Sequence, residues 1–387
     1  MEYRLCDFPW DENEKKAIID VVDSGDFTMG KKVSQFENEF AKKFGSKYAI
    51  MVNSGSSANL LAIAALSYSK KLKYGDEVIV PAVSWSTTYC PLQQFGLKLI
   101  FVDIDKYTLN INLDMLDKAI SDKTKMIFLV NLLGNPNDFK RVYEIIGNKD
   151  IIIAEDNCES LGANIDNKYT GTFGLFGTHS TFYSHHMCTM EGGIVTTDDD
   201  NLYDYMTSIR AHGWTRNIIK DSKVYSKQDD PFYESFNFIM PGFNLRPLEI
   251  EGAIGLEQIK KIDTMIKNRR ENASYFLKRI KEIRNVRPQK EQGNSSWFGF
   301  SLVLENELAN RRNEIIRVLH DANIESRPIV AGNYTKNKAI EYMDYEIPFE
   351  LKNSDEIHNS GFFIGNHSIN NNDEVDYFIE ILKKAIK

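Results

Sequence analysis

Between residues 47 and 200 the chain alternates short apolar runs with helical stretches, and nothing else in it restricts the fold as strongly. Residues 48–52, 78–80, 97–102, 126–130 and 151–154 read as strands buried on both faces. Residues 59–69, 113–120 and 139–146, lying among them, read as helices. Such alternation predicts an α/β fold, a mostly parallel sheet with helices on both sides. Ligands of these sheets gather at the carboxyl ends of the strands. Residues 179–198 predict two further strands, HSTFYS and GGIVTT, joined by a loop. A long helical pattern starts around Pro247, with proline at a favoured first-turn position, and runs towards Ile283. A strand-like stretch at 297–304 and helices near 311–321 and 373–385 follow. The expected division is therefore a large domain over 1–250, with an N-terminal arm, and a smaller α+β domain over 251–387.

Charge and composition exclude several functions. Against 47 Lys and Arg stand 55 Asp and Glu, a net charge of −8, which does not suit a general nucleic-acid binder. A local basic pocket for a small anion remains compatible with it. The longest apolar stretch, 126–133, is broken by Asn131 and falls far short of a membrane span. Residues 1–16 lack the apolar core of a signal peptide. Cys6, Cys90, Cys158 and Cys188 are scattered, with no CxxC. A cytoplasmic protein without nucleic-acid or membrane partners is expected.

A dehydrogenase would be the default for a parallel α/β chain, yet no GxGxxG follows the first strand. Gly171-Thr-Phe-Gly-Leu-Phe-Gly177 has the wrong spacing, and there is no Walker GKS/T or HExxH. What does follow the strand is Asn53-Ser-Gly55-Ser56-Ser-Ala-Asn59, opening into an apolar helix. A Gly/Ser turn there can hold an anion on free N–H groups and hydroxyls, or merely cap the helix. The run IIIAEDN, 151–157, ends in two carboxylates. Either can cap a turn, or Asp156 can face a cationic heterocycle. Trp85, just after another strand, is a core aromatic or a stacking platform. His185 and His186 precede a glycine turn. In extended chain adjacent side chains face opposite ways, so they are poor joint metal ligands, while one facing inward can be a general base or a satisfied structural histidine.

In this order the pieces resemble the DegT/DnrJ/EryC1/StrS sugar aminotransferase family of fold type I pyridoxal-phosphate (PLP) proteins. The resemblance spans nearly the whole chain: Thr28-Met-Gly30 with Phe36-Glu37, Gly55-Ser56, Glu155-Asp156, Ser180 leading to Glu191-Gly-Gly, Ala211-His-Gly213, Pro241-Gly-Phe-Asn244-Leu-Arg246 and Arg327-Pro328. Six residues before Glu191-Gly-Gly, the aminotransferases carry the lysine that bonds the cofactor covalently. Here that residue is His185. The same replacement marks a subgroup, the PLP-dependent nucleotide-sugar 3-dehydratases, and PAVSWSTTY, NLLGNPN, EDNCES, AHGWTRN and SSWFGF match the branch acting on GDP-4-keto-6-deoxy-D-mannose. The CDP-sugar branch also holds an iron–sulfur cluster on cysteines after the AHG region. No cysteine lies between Ala211 and Asn244, so no cluster is expected.

The resemblance implies the aspartate-aminotransferase-like fold and non-covalent PLP and pyridoxamine phosphate (PMP). It implies phosphate binding by Gly55, Ser56 and Ser180, ring stacking on Trp85, and Asp156 at the pyridine nitrogen. Glu159, where aminotransferases usually have Gln, would meet the ring hydroxyl, and Asn244 the phosphate of a neighbouring subunit in a homodimer with shared sites. His185 would be catalytic. His212, Arg216, Arg246 and Arg327 are candidates for the substrate's charged groups. The implied reaction is removal of the C3 hydroxyl from a GDP-linked 4-keto-6-deoxy sugar, with L-glutamate making PMP and ammonia released. The same reaction on a heptose, a sugar aminotransferase, and a non-catalytic PLP-fold binder are the alternatives.

Overall fold

The predicted alternation closes into one eight-stranded sheet in the computed structural model, which describes residues 1–218 and 222–387. In chain order the strands are β1 (Tyr48–Val52), β2 (Glu77–Pro81), β3 (Lys98–Val102), β4 (Thr124–Val130), β5 (Ile152–Asp156), the small hairpin β6 (Asn164–Ile165) and β7 (Lys168–Tyr169), then β8 (Phe176–Ser180) and β9 (Gly193–Thr197). Towards the C-terminus follow β10 (Val286–Pro288), β11 (Gly299–Leu304), β12 (Ser326–Arg327), β13 (Tyr345–Glu346) and β14 (Gly361–Gly365). The large sheet has the order β1-β9-β8-β5-β4-β2-β3-β13. From β8 to β13 all neighbours are parallel, whereas β9 runs antiparallel to β1 and β8.

Register settles where a site can form. Val130 lies beside Asp156 and Asp156 beside Thr178. Val52 and Ser180 both lie opposite Gly193. The carboxyl ends of β1, β4, β5 and β8 therefore share one edge, and each strand hands its next residues to that edge.

Helices pack on both faces, α1 (Glu12–Ser24) and α2 (Lys31–Phe44) against the long helix Glu249–Ile280. α3 (Gly55–Tyr68) is apolar nearly all round, so it is buried between the sheet and the helix Asp200–Ile209 rather than amphipathic. The Thr28-Met-Gly30 motif marks the start of α2, whose first amides are capped from afar. The Glu249 carboxylate accepts from Gly30, Lys32 and Val33 N–H at 2.7, 2.6 and 3.3 Å. The long helix begins at Glu249, not at the expected Pro247. The Glu251 side chain takes the Leu248 N–H at 2.9 Å, making Leu248 the cap and leaving Pro247 outside.

The C-terminal portion forms an antiparallel sheet, β10-β11-β14-β12. Chain order and spatial grouping part company at two places. β13 pairs with β3 at the edge of the large sheet, tied by Lys98 to Glu346 at 2.7 Å. The first residues pack on the C-terminal portion, where Tyr3 is wholly buried and its hydroxyl donates to Gly365 O at 2.7 Å. Among the described residues no helix is long and apolar enough to cross a membrane.

Candidate active site

The turn after β1 separates capping from anion binding. Ser54 is the N-cap of α3, its hydroxyl accepting from Ser57 N–H at 3.1 Å. Ser56 is thereby released; it is exposed and donates to Thr87 Oγ1 at 2.9 Å. First-turn amides of a helix have no intrahelical acceptor, so Gly55 and Ser56 present N–H groups at the positive end of the dipole. Gly55 is required by close approach: a Cβ there would lie 2.8 Å from Ser180 Cβ and 2.9 Å from Cys158 Sγ. Gly55, Ser56 and Ser180 thus meet at one point of the strand-end edge.

The two carboxylates of β5 divide as the alternation of a strand demands. Glu155, fully buried, accepts from Gly171, Phe173 and Gly174 N–H and from Asn131 Nδ2, at 2.6–3.0 Å, and so holds the following loop. Asp156, 6% exposed, points to the other side. Its Oδ2 accepts from Asn59 Nδ2 at 2.9 Å and Thr88 Oγ1 at 2.7 Å, and its Oδ1 from Cys158 N–H at 3.2 Å. No lysine or arginine among the described residues makes an ion pair with it. A carboxylate ordered by three neutral donors and lacking a counter-ion suits a cationic ring nitrogen. Trp85, directly before α4 (Ser86–Gln94), is 58% exposed at the end of β2, and its carbonyl accepts from Thr88 N–H at 3.1 Å. One hydrogen-bonded path thus links Trp85, Thr88, Asp156 and Asn59.

β8 ends at Ser180, so the expected strand through 184 is a loop, and the rule of opposite faces does not apply to the histidine pair. Both rings meet Phe298, His185 at 5.1 Å between centroids and His186 at 5.7 Å. His185 is partly exposed, with Nδ1 buried and without a hydrogen-bond partner. Burial, aided by the Arg269 cation, pushes its pKa down to about 3. The imidazole therefore stands as a neutral base, not the near-neutral titrating group that an unperturbed histidine would be.

Glu159 accepts from Leu133 N–H at 3.1 Å. Its pKa is pushed up to about 7, first by burial and further by the Asp156 charge, the Leu133 bond opposing. An acid so raised favours the fold below its ordinary pKa near 4.5, and that contribution is lost as pH rises through about 7. In cofactor-free protein, Glu159→Gln should accordingly gain roughly 1–3 kcal/mol over wild type between pH 5 and 8, read by urea unfolding. Glu251, also near 7, and His185 titrate in both proteins and cancel. An equal difference at all pH values would mean that Glu159 ionises freely.

The remaining expected residues are not joined to this group. Asn244 is exposed and accepts from Arg246 Nε at 2.9 Å. His212, at φ 64°, has its ring 5.2 Å from that of Trp214, and the Arg216 guanidinium sits 5.6 Å from the same indole. Arg327 is exposed on β12, in the C-terminal sheet. Sequence reading missed Asn59, Thr87 and Thr88, which order Asp156 and Ser56, and Phe298, which backs both histidines. Thr87 and Thr88 do stand beside Trp85 in the segment PAVSWSTTY, but only pairing of β4 with β5 and of β2 with β4 brings them to Asp156.

An anion cradle, a carboxylate without a counter-ion, an open indole face and a buried imidazole nitrogen without a partner together fit a phosphorylated pyridine such as PLP. Comparison with known proteins agrees. The DegT/DnrJ/EryC1/StrS aminotransferase family matches residues 10–383. This chain belongs to that family. A family member, the GDP-4-keto-6-deoxy-D-mannose 3-dehydratase of Escherichia coli O55:H7, is 54% identical over 387 residues, 99% of this chain and 100% of the relative. A crystal structure of GDP-4-keto-6-deoxymannose-3-dehydratase with a trapped PLP–glutamate geminal diamine superposes with a TM-score of 0.97 at 54% identity, covering 98% of this chain and 100% of that one. A histidine-to-asparagine variant of that enzyme with bound GDP-perosamine gives the same TM-score, identity and coverage. The DegT/DnrJ/EryC1/StrS fold class is thus the one expected from the motifs.

Proposed function

We propose that this chain is a cytoplasmic PLP/PMP-dependent lyase, a 3-dehydratase of a GDP-linked 4-keto-6-deoxy sugar, GDP-4-keto-6-deoxy-D-mannose. L-Glutamate is the amino donor, and the products are ammonia and a 3,6-dideoxy-4-keto sugar. The observation that carries this reading is an imidazole, His185, where the family's aminotransferases have their lysine, in a site otherwise equipped for the cofactor. The 54% identity to a GDP-4-keto-6-deoxy-D-mannose 3-dehydratase supports the choice of substrate.

When bound, the cofactor supplies an electron sink and, in its amine form, the amino group that captures the C4 ketone. Gly55 and Ser56 amides with the Ser56 and Ser180 hydroxyls hold its phosphate. Trp85 stacks on the ring face, Glu159 meets the ring hydroxyl, and Asp156 keeps the pyridine nitrogen protonated. His185, neutral at rest, takes a proton from Cα of glutamate and returns it at C4′. In the sugar half-reaction it takes the C4′ proton and delivers one to the departing C3 hydroxyl. An imidazole moves these protons without displacing the captured substrate, as an amine would. Glutamate leaves as 2-oxoglutarate and so provides both electrons that the sugar gains.

Asn244, exposed in its own chain, serves the phosphate site of a second copy, and exposed Phe236, Phe238 and Leu248 nearby give that copy an apolar surface. Incubation with PLP, glutamate and GDP-4-keto-6-deoxymannose tests the reading. Ammonia together with a sugar lighter by one oxygen is expected. An amino sugar would make the chain an aminotransferase, and no change in the sugar would make it a binder. Turnover should also be unaffected by an iron chelator and need no NAD(P)H, because no clustered cysteines lie between Ala211 and Asn244. Strict dependence on either would point to the cluster-bearing branch.

A further inference from the structure

The loop that carries His185 is tied at several points to parts of the chain far away in sequence. At its base Thr181 N–H donates to Gly192 O at 3.0 Å and Thr189 N–H to Thr181 O at 2.9 Å. Three residues past His185, Cys188 is gripped on both sides. Its N–H donates to Gln258 Oε1 at 3.2 Å, and its carbonyl accepts from Trp10 Nε1 at 2.9 Å. The remaining tie is His186. Only 1% exposed, it stands 3.0 Å through Nε2 from the Ser296 carbonyl. A carbonyl can only accept, so the proton sits on Nε2, and burial beside Arg269 keeps the ring neutral.

Ser296 is a firm anchor. Its N–H donates to Gly134 O at 2.9 Å, and Phe298 N–H donates to Leu133 O at 3.1 Å. Asn366 Nδ2 holds the Trp297 carbonyl at 2.8 Å, and the buried Arg269 holds that of Phe298 at 3.2 Å. Leu133 in turn donates its N–H to Glu159. One rigid junction between the 132–134 turn and residues 295–298 therefore bears on both Glu159 and the histidine loop.

We infer that His186 is a positioning residue: its bond to the Ser296 carbonyl and its packing on Phe298 fix the backbone at residue 185 and so aim the His185 imidazole. The inference rests on the reading of His185 as the group that moves protons. His186→Phe keeps a ring of similar size against Phe298 but loses the donor, whereas His186→Gln retains an N–H donor near the Nε2 position.

Single-turnover conversion of bound PLP by glutamate, followed by absorbance, reads the proton transfer. Misplacement of a reacting group by about 1 Å costs on the order of 10²-fold. His186→Phe should slow conversion about 10- to 100-fold with unchanged glutamate KM and cofactor affinity, and His186→Gln should recover most of the rate. In cofactor-free protein, amide exchange at residues 185–189 should quicken in the Phe variant and not in the Gln variant. If His186→Phe does not fold, His186→Asn, whose shorter side chain places no donor at the Nε2 position facing the Ser296 carbonyl, carries the same expectation. His185→Asn separates the two readings. A wild-type rate in His185→Asn overturns the role of His185 itself. An inactive His185→Asn beside a fully active, normally protected His186→Phe overturns the positioning role alone.

Discussion

His185→Lys is expected to cut dehydration by about 10²–10⁴-fold, the usual contribution of a positioned acid–base group, while the cofactor becomes reducible onto the chain. The environment of residue 185 makes the expectation strong. Burial and the nearby Arg269 cation, which push the imidazole down to about 3, would act on an ammonium in the same sense and favour the free amine. A free amine beside an aldehyde attacks it. The variant should then show a new visible absorption band and, after borohydride, a protein mass increased by one cofactor. Captured substrate would be displaced from the cofactor by that amine, and a flexible four-carbon chain is poorly placed to protonate a leaving hydroxyl. Wild-type protein treated identically should show no adduct. An adduct on another lysine of the wild type, or a variant dehydrating at the normal rate, would remove His185 from the reaction.

Asp156→Asn should lower both half-reactions by at least about 100-fold, equivalent to roughly 2.7 kcal/mol or two pKa units at the ring nitrogen. The loss has two physical sources. A neutral amide no longer favours a protonated pyridine, so developing negative charge at C4′ has a weaker sink. Asparagine also fits its own surroundings badly. Asp156 accepts from Asn59, Thr88 and Cys158, and an NH₂ group in place of either oxygen would face a donor. Such a clash of buried donors costs about 1–3 kcal/mol. Cofactor affinity should fall less than the rates, because the Gly55–Ser56–Ser180 cradle does not involve Asp156. Stopped-flow absorbance with glutamate checks this, and near wild-type rates would reduce Asp156 to the cap of a strand end.

The alternation of apolar runs determined strands β1 to β5 of the large sheet, because strands buried on both faces and the helices between them leave clear marks in sequence. The two exposed residues of the edge strand β13 leave none. Motif order in the sequence pointed to the family, and histidine at 185 to a lyase rather than a transferase. Which carboxylate of Glu155-Asp156 faces the site, which serine caps and which is free, and that His186 shares Phe298 with His185 were decided only by tertiary structure. The Ser54 cap is local to the start of its own helix. The Asp156 contacts, the bond of the free Ser56 to Thr87 and the shared Phe298 depend instead on pairings between segments tens to more than a hundred residues apart. Asn59 reaches Asp156 only when β1 and β5 end on the same edge, and Ser296 reaches His186 only when the C-terminal portion packs against the 132–134 turn. Local periodicity carries no information about such contacts, because hydrogen bonds between distant segments are selected by the packing of the whole sheet and not by the spacing of neighbours along the chain.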